Sequence, residues 1–249
     1  MKWKLLLAAG FSVFALVAVG NAAEIRVMSP VALRPVLAKV GAEFEQSTGH
    51  KLVVSWGESG GIKSDIEKGV PFDVAILTLN FVDDLIKQGK LDGNTKTPIA
   101  RSGIGIAIRK GAPRPDVSTT DAFKRTLTAA KSIGYVERSA SSRYLNELFG
   151  RLGIAETIKS KLKPLSGPAH TYVANGDPEL AITQISAILQ FEGVELAGPL
   201  PQDIQRYTVF VAAAPLKSNS DATARAFLKA MVSPAATSIL KATGLEPPI

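Results

Sequence analysis

From Glu24 onward, short apolar runs alternate with stretches in which apolar residues recur at the helical period, which predicts strands and helices in turn. Glu24 to Met28 reads as a strand closed by Ser29-Pro30. Leu33, Leu37, Val40 and Phe44 then share one helical face; Pro35 lies early enough for its missing N–H to be tolerated, and Gly49 ends the helix. Lys51 to Ser55 is a second strand. The turn Trp56-Gly57-Glu58-Ser59-Gly60-Gly61 leads into a helix with Ile62 and Ile66 that stops at Gly69-Val70-Pro71. Phe72 to Leu77 is apolar except for Asp73, as expected of a strand covered on both faces. Thr78 stands just past it, and a helix over Phe81 to Gln88 begins beside Asn80. Three strand-to-helix junctions thus fall on one edge of one sheet, the edge where open parallel sheets hold ligands.

Arg101 to Ile108 is the next apolar strand, and Lys110-Gly111-Ala112-Pro113-Arg114-Pro115 breaks it. Beyond the break, Thr119 and Thr120 precede a helix with Phe123 and Leu127, and Ser132 to Val136 reads as a strand. A polar loop, Glu137 to Ser142, opens a helix with Tyr144, Leu145, Leu148 and Phe149 inward that closes at Gly153. Leu165 to His170 is weakly extended, and Asp177-Pro178 predicts a short helix reaching Ala181. Ile182 to Leu189 is apolar but carries Thr183, Gln184 and Ser186. Gly193 to Leu200 and Arg206 to Ala214 read as strands, followed by helices from Asp221 to Met231 and Ser233 to Gly244. Both halves alternate strand and helix, so the fold class is α/β.

The start of the chain does not belong to this pattern. Lys2, Lys4, the apolar run Leu5 to Val19 and the small residues Gly20-Asn21-Ala22 predict a secretory signal peptide over residues 1–22, cleaved after Ala22. The run is too short for a membrane span, and no cysteine marks a lipid anchor. Export would leave a periplasmic chain whose formal charge falls from +7 to about +5. Those charges are spread out, with no basic run to grip nucleic acid. With 0 Cys and only 2 His, far apart, neither a disulfide framework nor a metal centre is expected, and no cofactor is implied.

Candidate chemistry centres on the glycine turn. A strand end, a small-residue turn and a helix start expose unpaired amides, and the helix dipole adds to their attraction for anions. The Ser59 hydroxyl can cap the helix or bind a ligand oxygen, and Gly60 lets a ligand approach the backbone. The plain alternative is a capped turn without ligand. Ser29 and Thr78 stand at the neighbouring strand ends. From the second half, Ser141, Ser142 and Arg143 open a helix, and Gln184 interrupts an apolar run. An arginine can hold a carboxylate or phosphate in a two-pronged grip; the alternatives are a solvated Arg143 and a Gln184 on a polar face. Glu58 would repel an anion and is expected to face solvent, and Trp56 reads as a core aromatic beside the turn. No nucleophile sits in a recognised motif and neither His has an evident carboxylate partner, so the chain does not read as an enzyme.

Gly57-Glu58-Ser59-Gly60-Gly61-Ile62, followed by Ile66-Glu67-Lys68-Gly69-Val70-Pro71-Phe72-Asp73-Val74, resembles the periplasmic molybdate-binding proteins of ABC transporters. Tyr144 to Gly153 and Arg225-Ala226-Phe227-Leu228 with Ser233-Pro234-Ala235-Ala236 extend the resemblance over nearly all of the mature chain. It implies a two-lobed type II periplasmic-binding-protein fold, each lobe a mostly parallel sheet flanked by helices, with a ligand cleft between the lobes. Lobe one would comprise residues 23–101 and 212–249, and lobe two residues 102–211. It also implies a monomeric carrier that closes over a small anion, molybdate or tungstate, and delivers it to an ABC permease. Ser59 matches one serine of the family's oxyanion site; Ala32 stands at the other serine, Gln184 at a tyrosine, and Thr78 at a usually small residue. A larger or different anion, such as a carboxylate or phosphonate, is therefore an open alternative, as is a ligand sensor for a membrane receptor.

Overall fold

The computed structural model describes residues 23–136, 142–217 and 221–248. Its strands in chain order are β1 (Glu24–Pro30), β2 (Lys51–Gly57), β3 (Val74–Thr78), β4 (Thr97–Arg109), β5 (Ile133–Val136), β6 (Leu162–Leu165), β7 (Leu180–Gln184), β8 (Val194–Pro199) and β9 (Tyr207–Ala213). Between them lie α1 (Arg34–Thr48), α2 (Ser59–Glu67), α3 (Leu79–Lys87), α4 (Thr120–Ala129), α5 (Ser142–Arg151), α6 (Ala155–Ile158), α7 (Ala169–Ala174) and α8 (Ile185–Leu189), with α9 (Asp221–Met231) and α10 (Pro234–Ala242) at the end.

The strands follow the order β2-β1-β3-β9-β4-β7-β5-β6, with β8 also on β4. β1 is parallel to β2 and β3, and β5 is parallel to β6 and β7; β9, β4 and β8 fill the middle antiparallel. β4 joins the two parts, because it pairs with β9 from Thr97 to Gly103 and with β7 and β8 from Ile104 onward. Where β9 has ended and β8 has not yet begun, the Gln205 side chain takes the place of a strand. It accepts from the Ile104 N–H (2.8 Å) and donates to the Ile104 carbonyl (2.9 Å), so the backbone stays paired at the crossing.

Each part of the sheet is covered on both faces, which is why β3 is buried from Val74 to Leu77. Val74 and Ile76 join Val36, Val40 and Phe44 of α1 and Phe227 of α9; Ala75 and Leu77 join Ile62 of α2 and Leu85 of α3. The C-terminal helices thus return to the first part of the sheet. In the second part, Ile104, Ile106 and Ile182 pack on Phe123 of α4 and Leu148 of α5, while Ala107 and Ala181 meet Val173 of α7 and Ile188 of α8.

Pro35 sits in the first turn of α1 and Gly49 caps it at φ 75°, as the pattern predicts. The sequence reading fails near residue 180. The helix expected from Asp177-Pro178 to Ala181 is absent: Leu180, Ala181 and Ile182 form β7, since a run with no polar face suits a strand held between β4 and β5. The helix lies earlier, at Ala169–Ala174, where an extended run was expected; Ala169 and Val173 at helical spacing are its buried face. His170 is therefore on a helix, its ring 4.5 Å from that of Phe191 and tilted 32° to it, and burial lowers its pKa.

Asp73 is buried at the start of β3 and receives the Arg26 backbone N–H (2.8 Å) and the Arg26 Nε (3.0 Å). The ion pair holds the Arg26 guanidinium above its ordinary pKa. Asp73→Ala leaves the Arg26 N–H without its acceptor; with the arginine half exposed to water, the expected loss is about 1–3 kcal/mol by denaturant titration.

Candidate functional site

Parallel register brings the C-terminal ends of β1, β2 and β3 to one edge, with Pro30 opposite Gly57 and Met28 opposite Ala75. Helices α2 and α3 start directly from that edge. Glu58 is the N-cap residue of α2 without a side-chain cap bond, and the first amide of the helix to find a backbone acceptor is Ile62 N–H, on the Glu58 carbonyl. The amides of Ser59, Gly60 and Gly61 therefore point out of the helix end unpaired within it. Glu58 itself is exposed.

Ser59 does not cap α2. Its hydroxyl accepts the Thr78 backbone N–H at 3.2 Å, which ties the end of β3 to the start of α2. One lone pair of Ser59 is thereby occupied, and no acceptor for its own proton stands among the described residues. The Thr78 hydroxyl lies 2.8 Å from Asn80 Oδ1, to which it donates, so Thr78 supports Ser59 through its backbone and spends its hydroxyl locally. Ser29 is fully buried and bonds the Pro30 carbonyl at 3.3 Å. Gly60 and Gly61 are exposed, and a Cβ built on either meets nothing within 4 Å. Trp56 is half-buried, packs on the core beside α1 and carries the Arg34 guanidinium 5.0 Å from its ring.

From the second part, β7 ends at Gln184, the N-cap position of α8. Ser142 and Arg143 open α5, whose described core residues are Leu145, Leu148 and Phe149; Ser141 lies outside the described residues, as do the side chains of Ser142 and Arg143. Gln184 does not stand alone: its Nε2 donates to Thr208 Oγ1 of β9 at 2.9 Å. Beneath this pair, Ser102 of β4 and Ser186 of α8, both buried, place their hydroxyl oxygens 3.0 Å apart.

The register puts these groups on a single face, because directly paired residues share a face and alternate residues return to it. Thr78 pairs with Phe210, Ser102 with Thr208, and Ile104 with Gln184. Ser102 and Thr208 were missed by the sequence reading. Thr208 interrupts a mostly apolar strand, Ser102 follows Arg101 at the start of the apolar run of β4, and the two pair directly at the crossing; the hydroxyls were visible, their alignment was not. On the opposite face, Arg101 binds Glu246 (2.6 Å) and lies 4.2 Å from the Tyr207 ring. The Tyr207 phenol is pushed up by burial and by Glu246. Among the described residues no cluster of His, Asp or Glu could hold a metal ion.

A sheet bent about one crossing strand, with helix starts and hydroxyls gathered at the bend, defines a two-lobed solute-binding protein of the type II periplasmic class. The chain belongs to the bacterial extracellular solute-binding protein family, whose model matches residues 25–246. It is 30% identical over 228 residues to an aconitate isomerase of a Pseudomonas species, covering 89% of this chain and 87% of that one. It is 26% identical to the molybdate-binding protein of Azotobacter vinelandii, with 90% of each covered. Among solved structures, the substrate-binding domain of a molybdenum ABC transporter protein from Clostridium difficile superposes with a TM-score of 0.79 at 18% identity, over 92% of this chain and 100% of that one.

Proposed function

We propose that the chain is the extracytoplasmic capture component of an ABC importer, which closes over a small anion and presents it to a membrane permease. In this reading lobe one comprises residues 23–101 with 212–249, lobe two comprises 102–211, and the anion is held between them by Ser59 and the Gly60 amide, with the end of β7 at Gln184 on the other side. The observation that carries it is the Ser59 hydroxyl at the open start of α2, fixed by Thr78 and with its proton unspent. Neutral donors at a helix N-terminus suit an anion because charge-assisted bonds there form without a counter-charge to strip. The molybdate-binding relative supports a molybdate-like oxyanion as the first candidate.

The test is a thermal and Trp56-fluorescence titration of chain refolded to strip carried-over ligand, with molybdate, tungstate, sulfate, phosphate, citrate and aconitate. At 100 times its Kd an anion stabilises the chain by about 2.7 kcal/mol. A saturable shift with one anion class supports capture; no shift with any of them counts against it. Gly60→Ala tests backbone approach. The open space around Gly60 predicts an unaltered or slightly higher melting temperature with weaker anion binding, because the added methyl stands where the anion meets the amide.

A second reading is favoured by the Pseudomonas relative: the same cleft would bind aconitate and isomerise it. Proton NMR of aconitate incubated with the purified chain decides this, since conversion between its isomers is seen directly.

A further inference from the structure

Resting on the reading that this edge holds an anion, we infer that Thr208 is a second ligand-binding hydroxyl and that Gln184 is the residue that positions it. The hydroxyls gathered at the sheet crossing are in different hydrogen-bonding states. Ser29 gives its proton to Pro30, Thr78 gives its proton to Asn80, and Ser102 and Ser186 are buried against each other. Ser59 and Thr208 differ from these. Each accepts a hydrogen bond from an N–H group, the Thr78 amide in one case and Gln184 Nε2 in the other, and neither proton has an acceptor among the described residues. A hydroxyl whose lone pair is held by a donor has its O–H turned away from that donor, as a preorganised donor to an anion requires.

Location points the same way. Thr208 is half-buried on the sheet face it shares with Thr78, two residues along β9 from Phe210, the partner of the last residue of β3, in the strand that runs between β3 and the crossing. Its β-branched side chain has a stiff χ1, so one hydrogen bond from Gln184 fixes the direction of its O–H. Gln184 sits at the end of β7, on the far side of β4 from Thr208, and its amide spans that strand. The pair therefore links the two parts of the sheet at the place where an anion at Ser59 would meet the second part.

The experiment is calorimetric titration of the full mature chain with sodium molybdate and, separately, aconitate, using wild type, Ser59→Ala, Thr208→Val, Thr208→Ser, Gln184→Met and the Thr208→Val/Gln184→Met double variant. Thr208→Val is expected to weaken whichever probe binds by about 10- to 100-fold, the worth of one hydrogen bond to a charged group, while the ligand-free melting temperature stays within a few degrees. Thr208→Ser restores most of the affinity. Gln184→Met weakens binding in the wild-type background and adds nothing in the Thr208→Val background, as coupling through one hydroxyl demands. Wild-type affinity in Thr208→Val together with a loss in Ser59→Ala overturns the role of Thr208 and leaves the anion site standing. Equal losses in Thr208→Val and Thr208→Ser overturn it as well. Failure of both probes to bind wild type, together with no melting shift from tungstate, sulfate, phosphate or citrate, overturns the anion reading and this inference with it.

Discussion

Ser59→Ala weakens anion binding by about 10- to 100-fold and lowers the ligand-free melting temperature by only a few degrees. The first effect is the loss of one hydroxyl donor to a charged ligand, worth about 1.5–3 kcal/mol. The second is smaller because the Thr78 N–H, which loses the Ser59 acceptor, belongs to a half-buried residue that water can reach. That costs about 1 kcal/mol, or roughly 2–4 °C in a chain of this size. Calorimetric titration beside a melting curve separates the two. A variant that binds as wild type shows that Ser59 is a structural tie between β3 and α2; one that fails to fold shows that the tie matters more than this estimate allows.

Phe227→Ala has the largest expected effect on stability. Phe227 is fully buried, meets Phe44 edge-on at 5.3 Å between ring centres, and belongs to the cluster that joins β1, β3, α1 and the C-terminal helices. Truncating a buried phenylalanine costs about 3–5 kcal/mol, a melting shift of roughly 10 °C here. Because the cluster unites residues from both ends of the chain, the loss falls on the first part of the sheet. Hydrogen exchange is expected to report weakened protection in β1 and β3 before β5 and β7. Uniform weakening would show that both parts unfold as one unit.

Much of the fold was legible because the signals were local. Pro35 and Gly49 bound α1, and the apolar run ending at Leu77 is a strand covered on both faces; the expected glycine turn is shorter than its composition suggests, since β2 runs to Gly57, α2 begins at Ser59 and Glu58 alone stands between them. Around residue 180 local cues misled: Asp177-Pro178 resembles a helix start, yet β4 and β5 flank the next residues and decide the matter through pairing no local pattern shows. The same limit applies to the site. Ser59 stood out because its surroundings are contiguous in sequence, but its tie to Thr78 spans the length of α2 and β3 and displaces the expected cap. Thr208 and Ser102 come together through strand pairing across more than 100 residues of chain, so only the register identifies them.

The most direct measurement is a crystal structure of the chain with the anion that gives the largest melting shift. Density for that anion within about 3 Å of the Ser59 hydroxyl and the Gly60 amide, in hydrogen-bonding contact, is the predicted result. Density elsewhere, such as in the cavity of about 430 Å³ bounded by Arg26, Lys90 and Lys217 at the far end of β3, with the Ser59 edge left to solvent, would contradict capture at the strand ends.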